Sequence, residues 1–128
     1  SIQGLDRMRE ALHEMARADA ESAILAGDRS GATDLIETID AEWREFDAGR
    51  ATYEPLPQTA EEVALWRQFL ADLAPLRERH DALVATLRSI VDSGSPALPA
   101  AAAARSDLAR ALHAAELQLD ELIDLNAR

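Results

Sequence analysis

Three features of the sequence predict an antiparallel, up-down-up-down four-helix bundle. They are a helix-forming composition, apolar residues at three- and four-residue spacing, and three short breaks rich in Gly, Pro and Ser. The 128 residues are 48% hydrophobic but only 4% aromatic, with five Gly and five Pro. Ala, Leu, Glu and Arg dominate, as in long helices, and no stretch alternates as a strand does. The length suits one domain over residues 1–128, large enough to close its own core.

The first helical segment runs from about Ile2 to Leu25, with Leu5, Met8, Leu12, Ala16, Ala20 and Ala23 on one face and Met15 beside them. Gly27–Gly31 interrupts it, and Asp28 or Ser30 offers a cap for the second helix. That helix carries Leu35, Ile36, Ile39, Trp43, Phe46 and Tyr53; it is expected to end near Gly49, before Pro55-Leu56-Pro57 forbids continuation. Thr59-Ala60-Glu61-Glu62 reads as a capping box, hydroxyl and carboxylate each satisfying an orphan amide. The third helix follows, with Val63, Trp66, Leu70, Leu73, Val84, Leu87 and Val91 assigned to its seam, and Ser93-Gly94-Ser95-Pro96 stops it. Pro99 suits the first turn of the fourth helix, whose stripe is Leu108, Leu112, Ala115, Leu119 and Leu122. The third segment is the longest, so it is bent or broken or its partners are cut short. Pro75 is the expected place for a bend or local widening, because its ring clashes with the Ala71 carbonyl.

Composition also excludes functions. With no cysteine there is neither a disulfide nor a thiolate metal site, and compartment stays open. A formal net charge of −11 argues against nucleic acid or an anionic membrane surface as partner. No apolar run reaches the ~18 residues of a membrane span. Both ends fall within helical pattern, as expected of a segment cut from something longer.

The run Tyr53-Glu54-Pro55-Leu56-Pro57-Gln58-Thr59-Ala60-Glu61-Glu62, with Trp66 four residues on, resembles the sensor domain of bacterial chemoreceptors. The small-residue break at 26–31 and the ending Leu119–Asn126 extend the likeness over nearly the whole chain. The resemblance implies a periplasmic ligand-binding domain of an inner-membrane, methyl-accepting chemotaxis receptor, not an enzyme, with no cofactor. It implies a small carboxylate ligand, an organic acid or amino acid held by arginine, a homodimer in the intact receptor, and signalling by helix displacement. A sensor histidine kinase or a structural, protein-docking bundle is the alternative.

Helical rise alone suggests where such a ligand sits. Counted from the pole opposite the chain ends, Arg17, His80 and Arg110 lie about 16–18 Å down, and His13, Arg77 and His113 about 21–23 Å down. Three helices thus each supply an Arg and a His three or four residues apart. In an acidic chain this is a local inversion of sign, expected to bind a carboxylate better as pH falls from about 8 to about 6. The plainer reading is that each arginine pairs with a nearby acid, such as Glu14, Glu78 or Asp81, that His80 is a core histidine, and that Arg9 is a further candidate of the same kind. Glu10-x-x-His13 has the spacing of a di-iron ligand pair but lacks the second copy such a site needs, so no metal is expected. Trp43 and Trp66 are expected to pack on each other near the proline turn.

Overall fold

The computed structural model describes residues 2–22, 29–93 and 98–127. Four α-helices make up the fold: α1 (Ile2–Ser22), α2 (Arg29–Tyr53), α3 (Ala60–Ser93) and α4 (Leu98–Asn126). They form a square in chain order, with α1 against α2 and α4, and α3 against α2 and α4. The expected bundle is therefore the observed one, and among the described residues there is no strand.

The core is a heptad seam. On α3 the buried residues are Glu62, Trp66, Phe69, Leu73, Leu76, His80, Leu83 and Leu87, a strict alternation of four- and three-residue steps. On α4 they are Leu108, Leu112, Ala115, Leu119 and Leu122, with the same alternation. A mean repeat of 3.5 residues keeps such a stripe facing its partners only if the helices wind left-handed around one another. Leu5, Met8, Leu12 and Met15 of α1 and Leu35, Ile39, Trp43, Phe46 and Tyr53 of α2 complete the interior. Truncating a fully buried leucine here, Leu83 or Leu112, to alanine costs about 2–5 kcal/mol.

Several boundaries and phases depart from expectation. α2 does not stop near Gly49 but runs on to Tyr53, because Gly49 is a packing glycine inside the helix rather than a stop. A Cβ built on Gly49 would lie 2.8 Å from the Gly4 carbonyl oxygen, and one on Gly4 would lie 2.8 Å from that of Gly49. Main chain touches main chain there, which only glycine allows. α2 begins at Arg29, so Ser30 and Gly31 lie within it rather than in the break. Asp28, Ala23, Leu25 and the stop residues Gly94–Pro96 lie outside the described residues. Pro99 is in the first turn of α4, where its missing amide is harmless.

α3 is not broken, and no widening interrupts its α-helical path through Pro75. Both Pro75 and Ala71, whose carbonyl loses its donor, face solvent, where water can take the donor's place. Val63, Leu70 and Val84 are only partly buried; Phe69, Leu76 and Leu83 hold the seam instead.

Candidate functional site

Two buried polar residues interrupt the α3 seam, and each organises one level of the bundle. Near the chain ends, Glu62 is 5% exposed and accepts a hydrogen bond from the fully buried Tyr53 hydroxyl. The Asn126 side chain bonds the same hydroxyl while donating to the Leu122 carbonyl at 2.8 Å. Tyr53 also packs its Cβ over Gly4, so this one side chain ties α2 to all three other helices. Burial first, and then the bond to the Glu62 carboxylate, hold the phenol well above its ordinary range, with Asn126 acting the other way.

This arrangement corrects the capping box. The Thr59 hydroxyl does accept the Glu62 amide, at 3.1 Å. The Glu62 carboxylate does not return to cap; it turns inward to the tyrosine.

Half the bundle away, His80 is 1% exposed and its Nδ1 accepts the Trp43 indole N–H at 2.9 Å. That nitrogen is therefore unprotonated, and the neutral ring carries its proton on Nε2. Burial, reinforced by the nearby Arg77 charge, lowers the His80 pKa to about 4. A gain of charge at His80 between pH 8 and 6, part of the sequence expectation, is thus excluded by its burial.

Trp43 does not touch Trp66 as expected. About ten residues of α2, roughly 15 Å of rise, separate Trp43 from Tyr53, the residue that meets Trp66. The two indoles are joined instead through Phe46 and Phe69. Ring centroids are 5.2 Å apart for Trp43–Phe46, 6.1 Å for Phe46–Phe69 and 5.3 Å for Phe69–Trp66.

Over the outer face of Trp43 lies Arg77, its guanidinium carbon 4.3 Å from the ring centroid. The same guanidinium grips Asp47 with two bonds, of 2.8 and 3.3 Å. α2 and α3 pack more sparsely than any other neighbouring pair, and here they leave an open groove of 320 Å³. Asp40, Trp43, Arg44, Asp47, Arg77 and Asp81 line it.

The six residues singled out by depth do not all face this groove. Arg77 lines it, and His80 lies directly behind it, bonded to Trp43. His13 is on the other side of the bundle, 3.8 Å from Glu116 of α4, close to the bridge between Arg9 and Asp120. Arg17 reaches Glu14 at 3.9 Å, and Arg110 reaches Asp107 on its own helix. His113 is exposed on α4. Equal depth fixes height along the axis but not direction around it, so the six belong to several faces.

Sequence reasoning missed Arg44, Asp40 and Asp47. Their signal was available: at four- and three-residue spacing the three form one charged stripe on α2, and Asp40 and Asp47 flank Trp43 at three and four residues.

Among the described residues, no group of His, Asp and Glu is arranged to hold a metal ion, and no helix is long and apolar enough to cross a membrane. No curated protein and no solved structure shows significant similarity to this chain. A family model described as a four helix bundle sensory module for signal transduction matches residues 1–128. With its four-helix square and a match over its full length, the chain belongs to the family of four-helix-bundle sensory modules for signal transduction.

Proposed function

We propose that this module is the extracytoplasmic ligand-binding domain of a chemotaxis receptor, homodimeric in the intact protein, and that it senses a small carboxylate-bearing molecule. The observation that carries the reading is the α2/α3 groove, where two arginines line an opening beside a buried indole. A guanidinium presents five N–H donors in a fixed fork, a good match for a carboxylate. Arg77 spends two of its donors on Asp47, and among the described residues no ion pair or hydrogen bond engages Arg44.

The sparse packing of α2 on α3 supports signalling by helix displacement. A ligand that bridges the two helices favours one spacing over another, and its differential affinity shifts the population. At the chain ends the Tyr53–Glu62–Asn126 cluster links the α2/α3 turn to the last turn of α4, the route by which such a shift would leave the domain.

The test is a thermal-shift screen of small organic acids and amino acids. A ligand at 100 times its dissociation constant adds about 2.7 kcal/mol, a shift of several degrees for a chain of this size. Stabilisation by at least one carboxylate, lost in Arg44→Gln, is expected. A screen in which no carboxylate stabilises the domain refutes the reading.

A further inference from the structure

Among the described residues His80 is the one basic side chain in the interior, and its hydrogen bond exists only while the ring is neutral. Its Nδ1 accepts the Trp43 indole N–H at 2.9 Å, with the ring planes 85° apart and the centroids separated by 5.4 Å. An indole only donates, and a protonated imidazole donates from both nitrogens. Protonation therefore does more than weaken this bond: it sets two donors against each other. The new charge is also held in an apolar interior, on the same face of α3 as Arg77, whose guanidinium lies over Trp43. A charged His80 and the closed arrangement are incompatible.

The surroundings decide where that charge goes. On its side of the bundle stand Asp40, Arg44 and Asp47 from α2, and Arg77 and Asp81 from α3. α1 and α4 turn apolar side chains inward, and their ionisable groups at comparable height, His13, Glu14, Arg110 and His113, lie towards the outside. Opposite charge is thus reached in one direction, outward past Trp43 into the α2/α3 groove. Three aspartates against two arginines give the groove a formal charge of −1. Among the described residues no ion pair or hydrogen bond engages Asp40 or Asp81. α2 and α3 are also the most sparsely packed neighbouring pair, so parting them gives up the least contact.

We propose that the α2/α3 interface is an acid-operated switch: proton uptake by His80 breaks its bond to Trp43 and swings the imidazolium into the aspartate-lined groove, parting the two helices. The module then responds to acidification, and this response does not depend on the carboxylate reading. Burial, and then Arg77, lower the His80 pKa to about 4 in the closed arrangement, against 6.5 for an ordinary histidine. Opening and protonation are linked, so the midpoint of the switch falls between these two values.

The experiment is an NMR titration of the 128-residue chain from about pH 8 to about pH 3.5, a range that spans both values. It follows the ring signals of His80 and the indole N–H of Trp43, while circular dichroism monitors helix content. The His80 signals are identified by their loss in His80→Asn, which keeps an acceptor near Nδ1 but takes up no proton. His80 is expected to titrate with a midpoint between about pH 4 and about pH 6. The Trp43 signal should move with the same midpoint while the helices persist, and should stay fixed in His80→Asn. Arg77→Gln, which removes a repelling charge, should raise the midpoint by about half a unit or more. The double change Asp40→Asn with Asp81→Asn should lower it by about as much. Trp43 movement that persists in His80→Asn, or a His80 titration that leaves Trp43 unchanged, overturns the switch. So does loss of helix at the His80 midpoint, which is plain acid unfolding. A midpoint that neither the Arg77 nor the aspartate variant shifts overturns the route through the groove.

Discussion

α2 is shared by two interfaces built on opposite principles. Against α1 it lays main chain on main chain, Gly49 on Gly4, with Met8 and Tyr53 closing around the contact. Against α3 it holds on through side chains: Trp43 to His80, Asp47 to Arg77, and Phe46 to Phe69, with an open groove between. The first interface has no slack, since the nearest atoms are backbone and cannot rotate away. The second has a buried layer, Trp43–His80 and Phe46–Phe69, and outside it only the half-exposed Arg77–Asp47 pair and an open groove, where side chains can exchange partners at little cost. Within one helix, the difference separates what fixes the bundle from what can respond.

The largest expected effect comes from filling the glycine contact. Gly49→Leu should cost about 3 kcal/mol or prevent folding, since overpacking against rigid backbone leaves no low-energy rearrangement. Chemical denaturation would show it. Gly49→Ala should already be clearly destabilising, and an alanine variant as stable as wild type would show that α1 and α2 are not in backbone contact.

The next effect belongs to the α2/α3 side and depends on pH. His80 has a folded pKa of about 4, below the ordinary value of 6.5. Above pH 6.5 the ring is neutral in both states and its contribution to stability is fully present. As pH falls from 6.5 towards 4 the unfolded chain takes up the proton first, and up to ~3 kcal/mol is lost. Denaturation midpoints across that window should fall in wild type and stay flatter in His80→Phe. Parallel curves would place the titration elsewhere.

Tyr53→Phe, which strips the hydroxyl from the buried Glu62 carboxylate, should cost about 1.5–3 kcal/mol. In a double-mutant cycle with Glu62→Gln the two changes should be non-additive; strict additivity would break the idea of a shared cluster. The smallest effect is on the outside of the α1/α2 interface. Partial burial, and then Glu14, Glu45 and Glu10, raise the Glu42 pKa above the usual carboxylate range. Glu42→Gln should therefore stabilise the domain by about 0.5 kcal/mol at neutral pH, and a loss of stability would contradict this.

The number and direction of the helices were legible because proline, glycine and a 3.5-residue apolar period are local signals. The phase of α3 was less so. Glu62 and His80 occupy two seam positions, which hides the true stripe, while Leu70 and Val84 sit one residue off it and imitate a parallel one. Buried polar residues are the hardest to place by hydropathy, and here they mark both organised levels of the bundle. Arg77 and His80 were found because they lie on or beside the seam of a single helix. Grouping them with His13, Arg17, Arg110 and His113 needed angular information that rise per residue does not contain. Arg44 went unseen because α2 was read only for its apolar stripe.

The most direct test of the groove uses its own indole. The chain has two tryptophans, so Trp66→Phe leaves Trp43, the wall of the groove, as the only one. A carboxylate that stabilises the domain in the thermal screen is titrated while Trp43 emission is followed. The account predicts a saturable change in emission, with the dissociation constant found by calorimetry, and its disappearance in Arg44→Gln. A ligand that stabilises the domain while Trp43 emission stays constant would place the site on another face and contradict the account.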